Sequence, residues 1–433
     1  MRNEVIFDAK GIPSIMVVFT PEELGNGPAC KVAGKTVKEI AISKYPNTMI
    51  GGLPYSLPFH KPAVNISFDE AVAACEAKGT GWHLMTNAEW AALARISKKN
   101  GTLPRGNTSS GKSHSHPEET GTTYGEGGKT LTGSGPATWN HDHTPEGVAD
   151  LCGNIWEWVG GLRWLDGQVQ IIPDNDAAAG ADQSRESSAW VPVRTADGDP
   201  VYYCVSDDEI TLTDEKPEGS SYDGIPFADL DSEIKVPELL KELALYPDDD
   251  HMGNEYFWLD GDGERLAFRG GNWHSGAHAG VFYVYGYNPR SNVNWNIGFR
   301  SAFIRYIGQS DNLDNLDETT EPSAAPQEVK AEPNAGKLET RGTIITRPKT
   351  LAEILRDTLT ATLSTVYRAA GSDDPDAFAT AAHKATDMEL QQAAALSVAL
   401  AQATTAAEVM KYSAQLKLAN TFTLTIRKEA DHE

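Results

Sequence analysis

The sequence predicts a chain of the α+β class. Three observations carry this. Short apolar runs parted by Gly and Pro fill residues 1–65. Two helices with clear start signals follow between residues 67 and 101. Residues 151–305 are then rich in Trp, Gly, Asn and Tyr with little helical period, as short strands on long loops would be. With 433 residues the chain is too long for one typical domain. A first domain is expected over 1–307, an acidic Pro-containing linker over 308–349, and a small, mainly helical domain over 350–433.

The elements follow from local chemistry. Ser14–Phe19 and Lys38–Ile42 read as strands, while Gly51-Gly52 and Pro54 to Pro62 read as loops. Ser67-Phe68-Asp69-Glu70 and Thr86-Asn87-Ala88-Glu89 are capping boxes: the hydroxyl accepts from the N3 amide and the Glu reaches back to the cap amide. The second helix ends near Ser97–Gly101, with Lys98 and Lys99 at the dipole's negative end. Gly101–Gly147 has few apolar residues and reads as a long loop. Asp311, Asp314, Asp317, Glu318 and Glu321, followed by Pro322, Pro326 and Pro333, mark the linker. Beyond it, Thr350 to Glu353 forms a third capping box. Leu351, Ile354, Leu355, Leu359, Leu363 and Val366 line one helical face, and Phe422–Arg427 alternates as a strand does.

Composition excludes several functions. The chain has 37 basic and 61 acidic residues, a net charge of −24. Nucleic acids and anionic membranes need Lys and Arg to displace counterions, so neither is an expected partner. No apolar run approaches the length of a membrane helix, and membrane insertion is not expected. No signal peptide is read at the N-terminus. Cys30, Cys75, Cys152 and Cys204 are far apart, without a CxxC, and indicate neither a disulfide framework nor a zinc ribbon.

Three segments are informative together: Leu84–Trp90, Leu151–Trp158, and the stretch from Arg269-Gly270-Gly271-Asn272-Trp273 to Gly298-Phe299-Arg300. They resemble the C-type-lectin-like fold of the formylglycine-generating-enzyme (sulfatase-modifying factor) type, whose "GN-WEW", "RGG-W" and "GFR" segments occur in this order. The resemblance covers about residues 1–306. Within that type, residues 270–300 resemble the hypervariable region of a variable protein of a diversity-generating retroelement. In such proteins a reverse transcriptase miscopies adenines, and Asn codons scatter to Tyr, His, Ser, Asp and Gly. Gly276, Ala277, Gly280, Val281, Phe282 and Val284 would be the fixed positions. The candidate ligand-binding residues are His274, Ser275, His278, Tyr283, Tyr285, Tyr287, Asn288, Asn292, Asn294, Trp295 and Asn296. Trp295 departs from the pattern, because Trp is not reachable from an AAC codon, though AAG or AGG would allow it.

The residues support this independently. Tyr, His, Asn and Trp combine flat amphipathic area with donors and acceptors, the composition of an antibody paratope. The bland alternative is that Tyr283, Tyr285 and Tyr287 form one face of an ordinary strand. The candidates are expected to cluster on one solvent-facing patch. Val281, Phe282, Val284, Ile297 and Phe299 are expected to hold the core beneath it. Trp156, Trp158 and Trp273 read as core anchors, and Arg300 as the partner of a buried acid such as Glu157.

Metal and catalytic readings are thinner. No cofactor is expected. Calcium is the one alternative, because Asp260, Asp262 and Glu264 place carboxylates at alternate positions of a turn, yet the twelve-residue loop and distal Glu are lacking. His114, His116, His141 and His143 read as loop residues without a third ligand set. Formylglycine-generating enzymes use a cysteine pair near "GFR"; here Ser301 follows Arg300, and no Cys lies beyond Cys204. The expectation is therefore a non-enzymatic receptor-recognition protein, a phage or prophage component located in the virion, or in the cytoplasm before assembly. Its ligand would be a protein or glycan on a target cell surface. Residues 350–433 would join a virion tail or self-associate. The alternative is an enzyme of the formylglycine-generating type or an inactive relative.

Overall fold

The computed structural model describes residues 1–306 apart from 10–11, 126, 207, 220 and 249–254. The linker and helical-domain expectations for 308–433 lie outside the described residues.

The chain opens with β1 (Arg2–Phe7), β2 (Pro13–Phe19), β3 (Lys31–Val32), β4 (Lys35–Thr36), β5 (Glu39–Ser43), β6 (Thr48–Ile50) and β7 (Leu53–Tyr55). The Pro54 loop expected from the sequence is thus partly strand: Pro54 sits in a two-stranded hairpin, where its missing N–H is tolerated. Next come α1 (Phe68–Glu76), β8 (Trp82–Leu84) and α2 (Asn87–Asn100). Both helices start where the capping boxes place them, with the reciprocal bonds present at Ser67/Glu70 and Thr86/Glu89. Helix α2 stops at Gly101, whose left-handed φ of 69° suits a residue without Cβ. The described residues of 101–147 are irregular apart from a 3₁₀ turn at Ala137–Trp139 and isolated β-bridges such as Lys112 to Thr120 and Thr123 to Thr130.

After this loop come β9 (Trp156–Leu165), β10 (Gln168–Ile171), β11 (Val191–Pro192), β12 (Tyr202–Ser206), β13 (Glu209–Thr213), β14 (Tyr222–Pro226) and β15 (Asp231–Ser232). A short α3 (Glu238–Glu242) precedes β16 (Tyr256–Asp260), β17 (Glu264–Gly270), β18 (Gly280–Asn288), β19 (Ile297–Phe299) and β20 (Ser301–Arg305). Two sheets dominate. One has the order β1-β2-β5-β20-β8; the other runs β14-β16-β18-β17-β9-β10-β12-β13-β15, with β11 on β10 and β19 on β9. The larger sheet curls until β13 and β14 touch, and the Asp208 N–H donates to an Asp223 carboxylate oxygen at 2.6 Å.

The two faces of the large sheet are buried by different partners. Phe257, Leu259, Val284 and Trp164 join the main core with Trp90 and Leu93 of α2. The Trp90 indole N–H donates to the Val281 carbonyl at 2.7 Å and ties α2 to β18. On the other face, Trp156, Trp158, Leu266, Phe268 and Phe299 pack with Phe68 and Cys75 of α1. The Trp158 indole donates to the Ile66 carbonyl at 3.0 Å, the core role expected of it. The motif arginine Arg269 is buried, bonded to Asn87 Oδ1 and the Leu243 and Ala244 carbonyls. Gly298 is glycine for lack of space: an added Cβ would stand 2.1 Å from the Ala63 carbonyl oxygen. Among the described residues no helix is long and apolar enough to cross a membrane.

Candidate ligand-binding site

The eleven candidate residues lie on three consecutive pieces: the turn 272–279, strand β18 and the loop 289–296. His274, His278, Asn294 and Trp295 are exposed; Ser275, Tyr285, Tyr287, Asn288, Asn292 and Asn296 are half-buried. Tyr283 corrects the expectation. It is only 5% exposed and packs edge-on against Trp156 at 4.7 Å between ring centroids. Tyr283 shares a strand face with Tyr285 and Tyr287, but it sits where that face dips into the Trp156/Phe268 cluster. Burial pushes its phenol well above the usual range.

The rings form two groups. The first is a ribbon across three strands. Tyr285 lies 6.0 Å from Tyr287, Tyr287 5.4 Å from Tyr222, Trp258 6.1 Å from Tyr285, and Tyr256 4.0 Å from His278. Strand pairing builds it, since Trp258 of β16 is opposite Tyr285 of β18 on one side and Gly224 of β14 on the other. Tyr222, Tyr256 and Trp258 lie outside residues 270–300, and sequence reasoning missed them. Their period-two spacing, Tyr256/Trp258, was the available signal; only the β16–β18 pairing shows where that face points.

The second group is a corner. Trp295 packs on Trp273 at 4.5 Å, and Trp273 on His274 at 5.0 Å. Lys129 Nζ stands 5.2 Å from the Trp273 ring centroid and 5.1 Å from that of Trp295, and donates to the Trp295 carbonyl at 2.8 Å. Burial lowers the Lys129 pKa, while the two ring faces favour its cation. The turn carrying Trp273, His274 and His278 joins the corner to the ribbon. The candidate residues expected to form a single patch therefore divide between two ring groups, and Tyr222, Tyr256 and Trp258 from outside the segment complete the ribbon.

The loop 289–296 is held through its own backbone. Its carbonyls at Arg290, Asn294 and Asn296 accept from the main-chain N–H groups of Phe68, Asn65 and Trp156 at 3.1, 2.9 and 2.9 Å. Arg290 adds a two-pronged pair with Glu264, both bonds 2.8 Å, and a 2.6 Å bond to Asp69. Burial pushes the Glu264 carboxyl up, but Arg290 and Arg163 outweigh it and hold it low. Within the loop, Asn292 donates to Asn288. The buried Oδ1 atoms of Asn292 and Asn296 find no donor among the described residues, a cost of about 1–3 kcal/mol each.

Among the described residues, metal and thiol chemistry has no comparable arrangement. Asp260 accepts from Arg265 at 2.5 Å and from the Asp262 N–H at 2.9 Å, while Glu264 is turned to Arg163 and Arg290. The three carboxylates proposed for calcium therefore do not converge, and among the described residues no three metal-binding side chains group together. His141 Nδ1 accepts from the Val148 N–H at 2.8 Å, and His143 Nε2 donates to the Leu103 carbonyl at 3.0 Å. Cys30, Cys75 and Cys152 are buried, and burial raises each thiol, Cys30 to about 11, the opposite of an activated thiolate.

These elements form a mixed α+β domain dominated by strands. Residues 34–202 match the family model of the sulfatase-modifying factor enzyme 1-like domain. No curated protein matches the chain. Among solved structures the chain is similar to Treponema denticola variable protein 1, at 12% identity and a TM-score of 0.27, over 70% of this chain and 98% of that one.

Proposed function

We propose that this chain is a non-enzymatic binding protein whose surface is diversified by a retroelement within residues 270–300. One observation carries the reading. The loop 289–296 is fixed through backbone carbonyls, while His274, His278, Asn294 and Trp295 stand exposed around it. Side chains can change there while the main-chain bonds to Phe68, Asn65 and Trp156 remain. The role would be host recognition by a phage or prophage, with a protein or glycan on the target cell as ligand. Residues 350–433 would attach the binder to a virion or to a second copy; light scattering on the full chain and on one ending at Ile307 tests the second-copy half.

The main test is the gene's surroundings. A near-copy of the codons for residues 270–300, differing only at adenines and lying beside a reverse-transcriptase gene, is the expected result. A locus without either would overturn the diversification. The family match to an enzyme-type domain favours the second reading, formylglycine formation. Incubating the protein with a cysteine-containing sulfatase peptide and weighing the product tests it; conversion of Cys to formylglycine would establish the enzyme.

A further inference from the structure

We propose that Trp258, laid flat over Gly224 and flanked by Tyr256 and Tyr285, is a stacking platform for the ring of a neutral sugar. This rests on reading the ribbon face as the ligand-binding surface, and goes further by fixing the ligand's chemical class.

The platform is built by the sheet. Gly224 pairs with Trp258 across β14 and β16. An added Cβ at position 224 would lie 2.1 Å from both Cδ2 and Cε2, the atoms of the indole's fused bond. The ring thus lies directly on the glycine, with its other face turned away from the strand. Tyr256 flanks it at an interplanar angle of 26°, and Tyr285 at 39°. Trp258 is half-buried, and Tyr222 further along the ribbon is 61% exposed. A half-buried ring backed by a glycine is a surface for stacking and offers no pocket for a side chain to fill, which is how protein hot spots gain their energy.

Charge selects the occupant. An aromatic face carries negative potential and attracts weakly positive C–H bonds, which a pyranose presents on one side. Asp260 is paired with Arg265 at 2.5 Å, and Arg290 with Glu264 and Asp69, while Glu255, next to Tyr256, is buried and burial raises its carboxyl. The polar partners at the rim are the hydroxyls of Tyr285 and Tyr287, the amide of Asn288, and the imidazole of His278. Such groups match sugar hydroxyls. An anionic glycan would meet a chain of net charge −24. Trp258 and Tyr256 lie outside residues 270–300, so the platform stays constant while the positions around it vary. The ligand class is then common to all variants, and the diversified side chains choose among its members.

The full-length protein on an array of neutral hexose and N-acetylhexosamine oligosaccharides, sialylated glycans and peptides tests this. Retention of at least one neutral glycan is expected, with Trp258→Ala lowering its affinity by roughly ten-fold, the worth of one stacked ring. Trp258→Phe should keep part of the binding. If Trp258→Ala fails to fold, the wild-type indole N–H resonance of Trp258 reads the same contact and must shift when the retained glycan is added. Retention of peptides but no neutral glycan overturns the proposal, as does glycan binding indifferent to Trp258. Either outcome at a locus that carries the adenine-variant repeat leaves the diversified surface standing.

Discussion

Arg300 grips Glu157 through two parallel bonds, Nε to Oε2 and Nη2 to Oε1, both 2.6 Å, with each side chain only 1% exposed. Glu157 belongs to β9 of the large sheet. Arg300 is the single residue between β19 and β20, where the chain crosses to the small sheet, and it also donates to the Ser43 and Ala149 carbonyls. The sequence suggested the pairing; the structure places it as a joint between the two sheets. Glu157→Leu would leave a buried guanidinium unpaired and should cost about 3–5 kcal/mol, whereas Arg300→Met with Glu157→Leu should recover most of it. Urea midpoints of the two variants read this directly; a single variant as stable as wild type would remove the pair from the account.

Tyr283 and Tyr287 lie on one strand face yet should respond differently. Tyr283→Ala truncates a buried ring and should cost about 3 kcal/mol or more. Tyr287→Ala, half-exposed, should cost about 1 kcal/mol or less. Equal midpoint shifts in chemical denaturation would contradict the burial difference.

Trp156 supports the ribbon from below, with ring centroids 4.7 Å from Tyr283 and 5.1 Å from Tyr285. Trp156→Ala should lose about 3–5 kcal/mol and also perturb the Tyr285 ring resonances. Stability loss with unchanged Tyr285 signals would show that the ribbon does not lean on it.

Asp150 gives a pH signature. Burial is the dominant influence and raises its carboxyl from 3.8 to about 6, against the Gly133 N–H and the Arg300 charge. A carboxyl raised on folding binds more protons in the native state, so its contribution to stability falls as pH rises from about 4 to 6. Across that window the effect is about 3 kcal/mol. Asp150→Asn cannot titrate. Relative to wild type it should therefore gain stability on going from pH 4 to pH 7. A stability difference that is flat with pH would place Asp150 at an ordinary carboxyl pKa.

Much of this was legible in the sequence because it is local. Ser67/Glu70 and Thr86/Glu89 announce two helix starts within four residues each, and both caps form. Strand runs such as Ser14–Phe19 carry their own pattern. The site was legible only in part. Alternation places Tyr283, Tyr285 and Tyr287 on one side of β18 but does not say how far the α1-side core extends beneath them. That boundary depends on Phe68, Trp156 and Phe268, which come from elsewhere in the chain. Trp258 escaped notice because its importance comes from pairing with Gly224 and Tyr285, positions 34 and 27 residues away in the sequence.

The backbone grip on the loop 289–296 has a kinetic consequence. Phe68, Asn65 and Trp156 hold carbonyls that every residue type possesses, so a rewritten loop starts from the same ordered frame. Binding then requires little rearrangement at encounter, and association rates should be similar from one variant to the next. What would distinguish the proposed variants is how long each stays bound. The proposed diversification on such a frame would sample residence times directly, without the slow rigidification through which flexible antibody loops mature.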